Sequence, residues 1–150
     1  MPAKRILFIC IGNACRSQMA EGFARAYGPD VITPASAGLA PAMGVVRDTK
    51  KVMAEKNIDI SDHFPKAIRH LGRAQFDLVV NMSGMEIPEA VALKVPVIDW
   101  DVEDPVLMEY EDHCKIRDQI EKLVMKLILD LREESKAPRF RGQGSGRLGL

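Results

Sequence analysis

Four short, largely apolar runs along the chain have the length and composition of β-strands. They are rich in β-branched residues, and turn-forming residues follow them. Pro96 lies within the last run and favours a position at the edge of a sheet, where its missing N–H is tolerated. The predicted strands are residues 5–10, 31–37, 76–81 and 95–98.

Segments with a helical repeat of apolar residues separate and follow these strands. The first begins at Arg16 and ends before Gly28 and Pro29, which stop a helix. Further helices are predicted over residues 45–56, 65–71 and 87–93, with a long one after Asp112. The long helix carries an apolar stripe at helical spacing, formed by Ile116, Ile120, Leu123, Val124, Leu127, Ile128 and Leu131.

Strands that alternate with helices predict the α/β class, as a three-layer open sheet of four parallel strands with helices on both faces. The 150 residues fit one domain, which we place at residues 1–135. Residues 136–150 carry four basic residues, four glycines and no acidic residue, which predicts a flexible basic tail.

Charge and hydropathy narrow the class of partner and the compartment. The formal net charge is zero, which argues against nucleic acid or an anionic membrane as a partner. No apolar run is long enough to span a bilayer, and the first residues do not resemble a signal peptide. We therefore expect a cytoplasmic protein.

The turn from Cys10 to Ser17 carries the clearest chemical signal. A cysteine ends a buried strand, a turn follows, and Arg16 begins a helix. Backbone N–H groups of such a turn, the helix N-terminus and a planar guanidinium together attract a tetrahedral oxyanion such as phosphate, sulfate or arsenate. The predicted oxyanion-binding residues are Ile11, Gly12, Asn13, Ala14, Cys15, Arg16 and Ser17.

The same electrostatic environment favours the thiolate form of Cys10, which makes it a candidate nucleophile. Gly12 would allow close backbone approach, Asn13 would tolerate a left-handed conformation, and Ser17 could donate a hydrogen bond to the sulfur. This chemistry requires neither a metal nor a cofactor. The alternative is a cysteine buried as a small apolar residue, with the Cys10–Arg16 spacing a coincidence.

Several motifs together resemble the low-molecular-weight protein tyrosine phosphatases and the related arsenate reductases, over residues 4–133. The motifs are residues 10–17, 18–22, 36–38 and 56–61, with His63, Trp100 and the Asp104-Pro105 pair. The resemblance implies a four-stranded parallel sheet with the site at the C-terminal ends of its strands. It also implies that Asp104 is the general acid; the residues alone leave Asp99, Asp101 and Glu103 as competitors.

We expect a cysteine-dependent phosphatase that hydrolyses a phosphorylated protein or a small phosphate ester. Cys10 would attack phosphorus to form a phosphocysteine, Arg16 would hold the oxyanion, and Asp104 would protonate the leaving group. The residues after Asp104-Pro105 depart from the resemblance, because they are Val106, Leu107 and Met108 where the phosphatases place tyrosines.

Two other functions stay open. One is an arsenate reductase that uses an external thiol or redoxin, because residues 81–86 lack the cysteine pair of the thioredoxin-coupled reductases. The other is a non-catalytic module that binds an oxyanion or senses oxidants. Cys15 is the redox candidate, as a thiol that could form a disulfide with Cys10, unless it is a packing residue turned away. We expect no functional role for His63, His70 or Cys114.

Overall fold

A parallel four-stranded sheet forms the centre of the molecule. The structure is a computed structural model that describes residues 2–71, 75–87 and 95–136. The strands, listed in chain order as β1 to β4, are Lys4–Cys10, Ile32–Gly38, Leu78–Asn81 and Val97–Asp99. Their order across the sheet is β2-β1-β3-β4, with every neighbouring pair parallel. This arrangement confirms the predicted parallel sheet and places β4 at an edge.

Three α-helices lie in the described ranges. They are α1 (Arg16–Tyr27), α2 (Arg47–Ala54) and α3 (Tyr110–Lys136). Helix α1 has its predicted bounds. Helix α2 is shorter than predicted because Val46 is extended, and α3 begins before Asp112 because the Glu109 carbonyl already accepts the His113 N–H.

Two other predicted helices have different outcomes. The segment 65–71 forms only a short 3₁₀ helix, Ile68–Leu71. The helix predicted over 87–93 lies outside the described residues except for Ile87. The predicted tail also lies outside them, except for Lys136 at the end of α3.

Both faces of the sheet are covered, as the continuous apolar run of β1 requires. Ile6 and Phe8 belong to the larger core, together with the stripe of α3, whereas Leu7 and Ile9 belong to a smaller core on the opposite face. All four side chains are fully buried. Within the described ranges, no helix is long and apolar enough to cross a lipid bilayer.

The strand order defines where a ligand would bind. From β1 the chain passes to β2 on one side, and β3 lies on the other side. Open α/β sheets bind ligands outside the carboxyl ends of the strands where the order reverses in this way. Cys10 is the last residue of β1, so the predicted nucleophile stands at this position.

Candidate active site

The loop between β1 and α1 is held in shape by buried side-chain hydrogen bonds centred on Asn13. Asn13 has a φ of 50°, in the left-handed region that asparagine tolerates. Its amide nitrogen donates to the Ser17 hydroxyl at 2.7 Å. Its amide oxygen accepts from the Gln18 side chain and from the Lys66 backbone N–H, each at 3.1 Å. The loop is thus tied both to α1 and to the segment after α2.

The Cys10 sulfur lies 2.9 Å from the Ser17 hydroxyl oxygen. Because this oxygen already accepts a hydrogen bond from Asn13, its own hydrogen is free to be donated to the sulfur. Such a donor stabilises the anionic form of a thiol more than the neutral form. The Ser17 hydroxyl therefore faces the sulfur of the predicted nucleophile at the end of β1.

Close backbone approach is required at Gly38 and not at Gly12. A Cβ on Gly12 would make only ordinary contact with Ala42. A Cβ on Gly38 would lie 2.7 Å from the Ile11 carbonyl oxygen and 2.8 Å from the Asn13 nitrogen. The last residue of β2 must therefore lack a side chain for the Cys10 loop to pack against it, whereas the approach of an oxyanion to Gly12 stays a prediction.

Arg16 joins the loop to the ends of β3 and β4. Its side chain is buried, and one terminal nitrogen, Nη1, donates to the carbonyls of Met82 and Val102. The other terminal nitrogen, Nη2, lies 3.6 Å from an Asp104 carboxylate oxygen. Its Nε is buried and has no hydrogen-bond partner among the described residues. A buried donor of this kind requires an acceptor, and an oxyanion in the loop would supply one.

Asp104 is the acidic residue that reaches Arg16. One carboxylate oxygen forms the ion pair with Arg16, and the other accepts the Val106 N–H at 3.1 Å. The side chain is 41% exposed, so it can exchange protons with water. Asp99 instead accepts a hydrogen bond from Asn81. The role of Asp104 as general acid stays a prediction.

Gln18 and His63 belong to the supporting structure of the loop, which was not expected for His63. Gln18 is buried, and its amide nitrogen also donates to the Asn13 and Phe64 carbonyls. Its amide oxygen lies 2.9 Å from the His63 Nδ1. Because 45 residues separate Gln18 from His63, no local spacing in the sequence indicates this contact.

Cys15 is buried at the other end of the loop. Burial is the main cause that raises the pKa of its thiol to about 12. Cys10, Cys15 and Cys114 are all free thiols. The disulfide between Cys10 and Cys15 stays a prediction. Among the residues described, no cluster of three or more His, Cys, Asp or Glu side chains could hold a metal ion.

Several known proteins are similar to this one over most of its length. A glutaredoxin arsenate reductase of Synechocystis is 34% identical over 83% of this chain and 96% of that protein. An arsenate reductase of Staphylococcus xylosus is 37% identical over 80% of this chain and 92% of that protein. A solved arsenate reductase in its phosphate-binding state superimposes with a TM-score of 0.78, at 32% identity over 85% of this chain and 98% of that one.

These relatives correct the expectation of a phosphatase. They are named arsenate reductases at 34–37% identity across most of the chain, which contradicts phosphate ester hydrolysis as the main function. The resemblance to the wider family is confirmed. The model of the low molecular weight phosphotyrosine protein phosphatase family matches residues 5–137. The chain belongs to this family.

Proposed function

We propose that the chain reduces arsenate to arsenite with electrons from an external thiol or redoxin. The observation that carries the proposal is the set of relatives named arsenate reductase, at 34–37% identity. Two features of the site support it. The thiol of Cys10 stands beside a hydroxyl donor, and the buried Nε of Arg16 lacks an acceptor within the described part of the chain.

In the first step, the Cys10 sulfur attacks arsenic. A sulfur–arsenic bond forms, and one arsenic–oxygen bond breaks. The departing oxygen takes a proton from Asp104 and leaves as water. Arg16 and the loop N–H groups hold the remaining oxygens, whose negative charge they stabilise throughout the step. Arsenic is still pentavalent after this step.

The second step transfers the electrons. A thiol attacks the Cys10 sulfur, so a disulfide forms while the sulfur–arsenic bond breaks. The electron pair of that bond passes to arsenic, which leaves as arsenite. A second thiol then reduces the disulfide and restores Cys10. Residues 81–86 contain no cysteine, so no thiol on this loop can attack the Cys10 adduct.

The surface near Arg16 offers room for such a donor. A groove of about 600 Å³ opens at the ends of β3 and β4 and includes Arg16, Met82 and Trp100 in its lining. Met85, on the loop after β3, is 56% exposed, and Leu107, on the loop after β4, is 95% exposed. The name of the Synechocystis relative, glutaredoxin arsenate reductase, agrees with a redoxin donor.

A donor panel tests the proposal. The reduced chain is mixed with arsenate and, separately, a monothiol, a dithiol, glutaredoxin or thioredoxin with its own reductant, and consumption of the reductant is followed. We expect arsenate-dependent consumption with at least one donor, and none with Cys10→Ser. If no donor is consumed above the rate of the Cys10→Ser variant, the proposal is wrong.

A further inference from the structure

Each backbone carbonyl of residues 10–15, in the Cys10 loop, accepts a hydrogen bond. Four of them accept N–H groups from residues 39–46, the segment that follows β2. These bonds run from Leu39 N to Cys10 O at 3.1 Å, from Ala40 N to Ile11 O at 2.8 Å, from Ala42 N to Gly12 O at 2.9 Å and from Val46 N to Ala14 O at 3.1 Å. The Asn13 carbonyl accepts from the Gln18 side chain, and the Cys15 carbonyl accepts the Met19 N–H of α1.

Segment 39–46 extends the pairing of β1 with β2 past the end of the sheet. The last pair of the two strands is Cys10 with Gly38. Beyond this pair the chain runs beside the loop and donates to successive loop carbonyls. Residues 40–44 are exposed, so their side chains add little to the core. What this part of the segment gives to the loop is therefore backbone N–H groups.

The backbone N–H groups of the loop are in the opposite situation. Among the described residues, none accepts a hydrogen bond from the N–H groups of residues 11–15. Asn13, Ala14 and Cys15 are buried. Because buried backbone N–H groups are nearly always paired in native proteins, this set requires an acceptor that the described residues do not supply.

The planar peptide group links these two observations. In a trans peptide the C=O of one residue and the N–H of the next point in opposite directions. Four loop carbonyls point toward segment 39–46, so the N–H groups of the residues that follow them point away from it. Those N–H groups belong to residues 11, 12, 13 and 15. Segment 39–46 therefore fixes the direction in which they face.

We propose that the N–H groups of Leu39, Ala40, Ala42 and Val46 hold the loop carbonyls outward and so aim the loop N–H groups at the oxyanion. The place of this arrangement in arsenate reduction rests on the proposed function. Ala40 and Ala42 are the central positioning residues, because their N–H groups make the two shortest of the four contacts, 2.8 and 2.9 Å. Both act on the oxyanion only through the loop carbonyls.

A loop carbonyl that lost its donor would change the charge around the anion. Its peptide group would be free to rotate and to present the partial negative charge of the oxygen where the N–H group had been. Donors that are already aimed at an anion need no reorganisation when it binds or when its charge develops. The same N–H groups favour the thiolate form of the nucleophile, which carries a negative charge as well.

The test removes one N–H group and measures the binding of inorganic phosphate, so it does not require arsenate reduction. Ala42→Pro removes the N–H that the Gly12 carbonyl accepts, at an exposed position. The matched control is Met43→Pro. The Met43 side chain is exposed, and its N–H has no acceptor among the described residues. We expect Ala42→Pro to weaken phosphate binding at least about tenfold in calorimetric titration, with Met43→Pro near the wild-type affinity.

A backbone ester separates the loss of the N–H group from the constraint of a proline ring. Lactic acid in place of Ala42 removes the same N–H and keeps the methyl side chain. The hydroxy-acid analogue of methionine in place of Met43 is its control. Thermal melting shows which proteins fold, and if a proline variant does not, the two esters give the same comparison.

A second measurement separates positioning from a general loss of structure. The alkylation of Cys10 by iodoacetamide, located by peptide mapping and followed as the pH is varied, reports on its thiolate. In the two proteins altered at position 42 the profile should move to higher pH, while the melting temperature stays close to that of the position 43 controls. A merely structural role would lower the melting temperature and leave the pH profile unmoved.

Any of four results would overturn the proposal. They are a wild type that binds no phosphate, a wild-type phosphate affinity in both proteins altered at position 42, equal losses at positions 42 and 43, and an alkylation profile that does not move. A chain that binds phosphate in the expected way, and makes no arsenite with any donor, refutes the proposed function and leaves the positioning role standing.

Discussion

Two loops at the carboxyl end of the sheet differ in how they are held. The Cys10 loop is buried, and Asn13 ties it to α1 and to Lys66 by side-chain hydrogen bonds. The acidic loop after β4 is largely exposed. Asp104 forms an ion pair with Arg16 and accepts the Val106 N–H of its own turn. In the proposed reaction the first loop would hold its oxyanion-binding groups in place before arsenate binds, whereas the second keeps the Asp104 carboxylate in exchange with water.

The largest effect should come from the nucleophile of the Cys10 loop. Cys10→Ser should lower the rate of arsenate reduction to below about 1% of wild type, because a serine hydroxyl cannot form a disulfide with a thiol. Oxyanion binding should persist, since Arg16 and the loop N–H groups remain. Rates of arsenite formation and calorimetric titration with phosphate measure the two properties. Activity retained above that level would exclude Cys10 as the nucleophile.

A substitution of the general acid in the acidic loop should slow arsenate reduction less than the loss of Cys10. Asp104→Asn should slow arsenate reduction by about 10²-fold, because the departing oxygen loses its proton donor. The matched control is Asp101→Asn in the same loop, which should remain near the wild-type rate. The comparison is made at saturating arsenate and thiol. A larger loss in the Asp101 variant would mean that the acid is assigned to the wrong carboxylate.

A stability comparison tests the claim that the Cys10 loop is held by Asn13. Asn13 and Asn57 both have positive φ, 50° and 61°, but Asn57 is exposed. Asn57→Ala should lower the free energy of unfolding by about 1 kcal/mol through backbone strain alone. Asn13→Ala should lower it by about 1–3 kcal/mol more, because buried partners lose hydrogen bonds. Urea denaturation measures both, and equal losses would contradict the assignment.

The smallest effect concerns His113, behind the Cys10 loop, and the stability of the protein in acid. Burial lowers the pKa of His113, so the unfolded chain binds its proton more readily than the folded chain. The contribution of neutral His113 to the free energy of unfolding is complete above pH 6.5, the usual pKa of histidine. It is lost as the pH falls toward the pKa of His113 in the folded chain. The free energy of unfolding of His113→Phe, measured by urea denaturation, should therefore change less between pH 5 and 7 than that of the wild type. Identical pH slopes for variant and wild type would contradict this.

The sequence was sufficient for the parts of the molecule that depend on local patterns. The apolar run of β1 and the stripe of α3 predicted buried elements, and residues 10–17 predicted a loop at the end of a strand. Contacts between distant residues could not be predicted in this way. Gly38 is needed because β2 packs against the Cys10 loop, and the Gln18–His63 bond depends on the folded chain.

The chemistry was harder to predict than the fold. A loop of this kind would hold phosphate or arsenate alike, because charge and N–H groups recognise any tetrahedral oxyanion. Which reaction follows depends on what attacks the Cys10 adduct next. Residues 10–17 therefore predicted the family, and the expectation of phosphate ester hydrolysis was wrong.

A side-by-side product measurement tests the central claim most directly. The same preparation is given arsenate or an aryl phosphate, each with and without a dithiol, and arsenite and released phosphate are quantified. We predict continuous arsenite formation only with the dithiol, with one dithiol oxidised for each arsenite. Sustained release of phosphate without reductant, together with no arsenite under any condition, would contradict it.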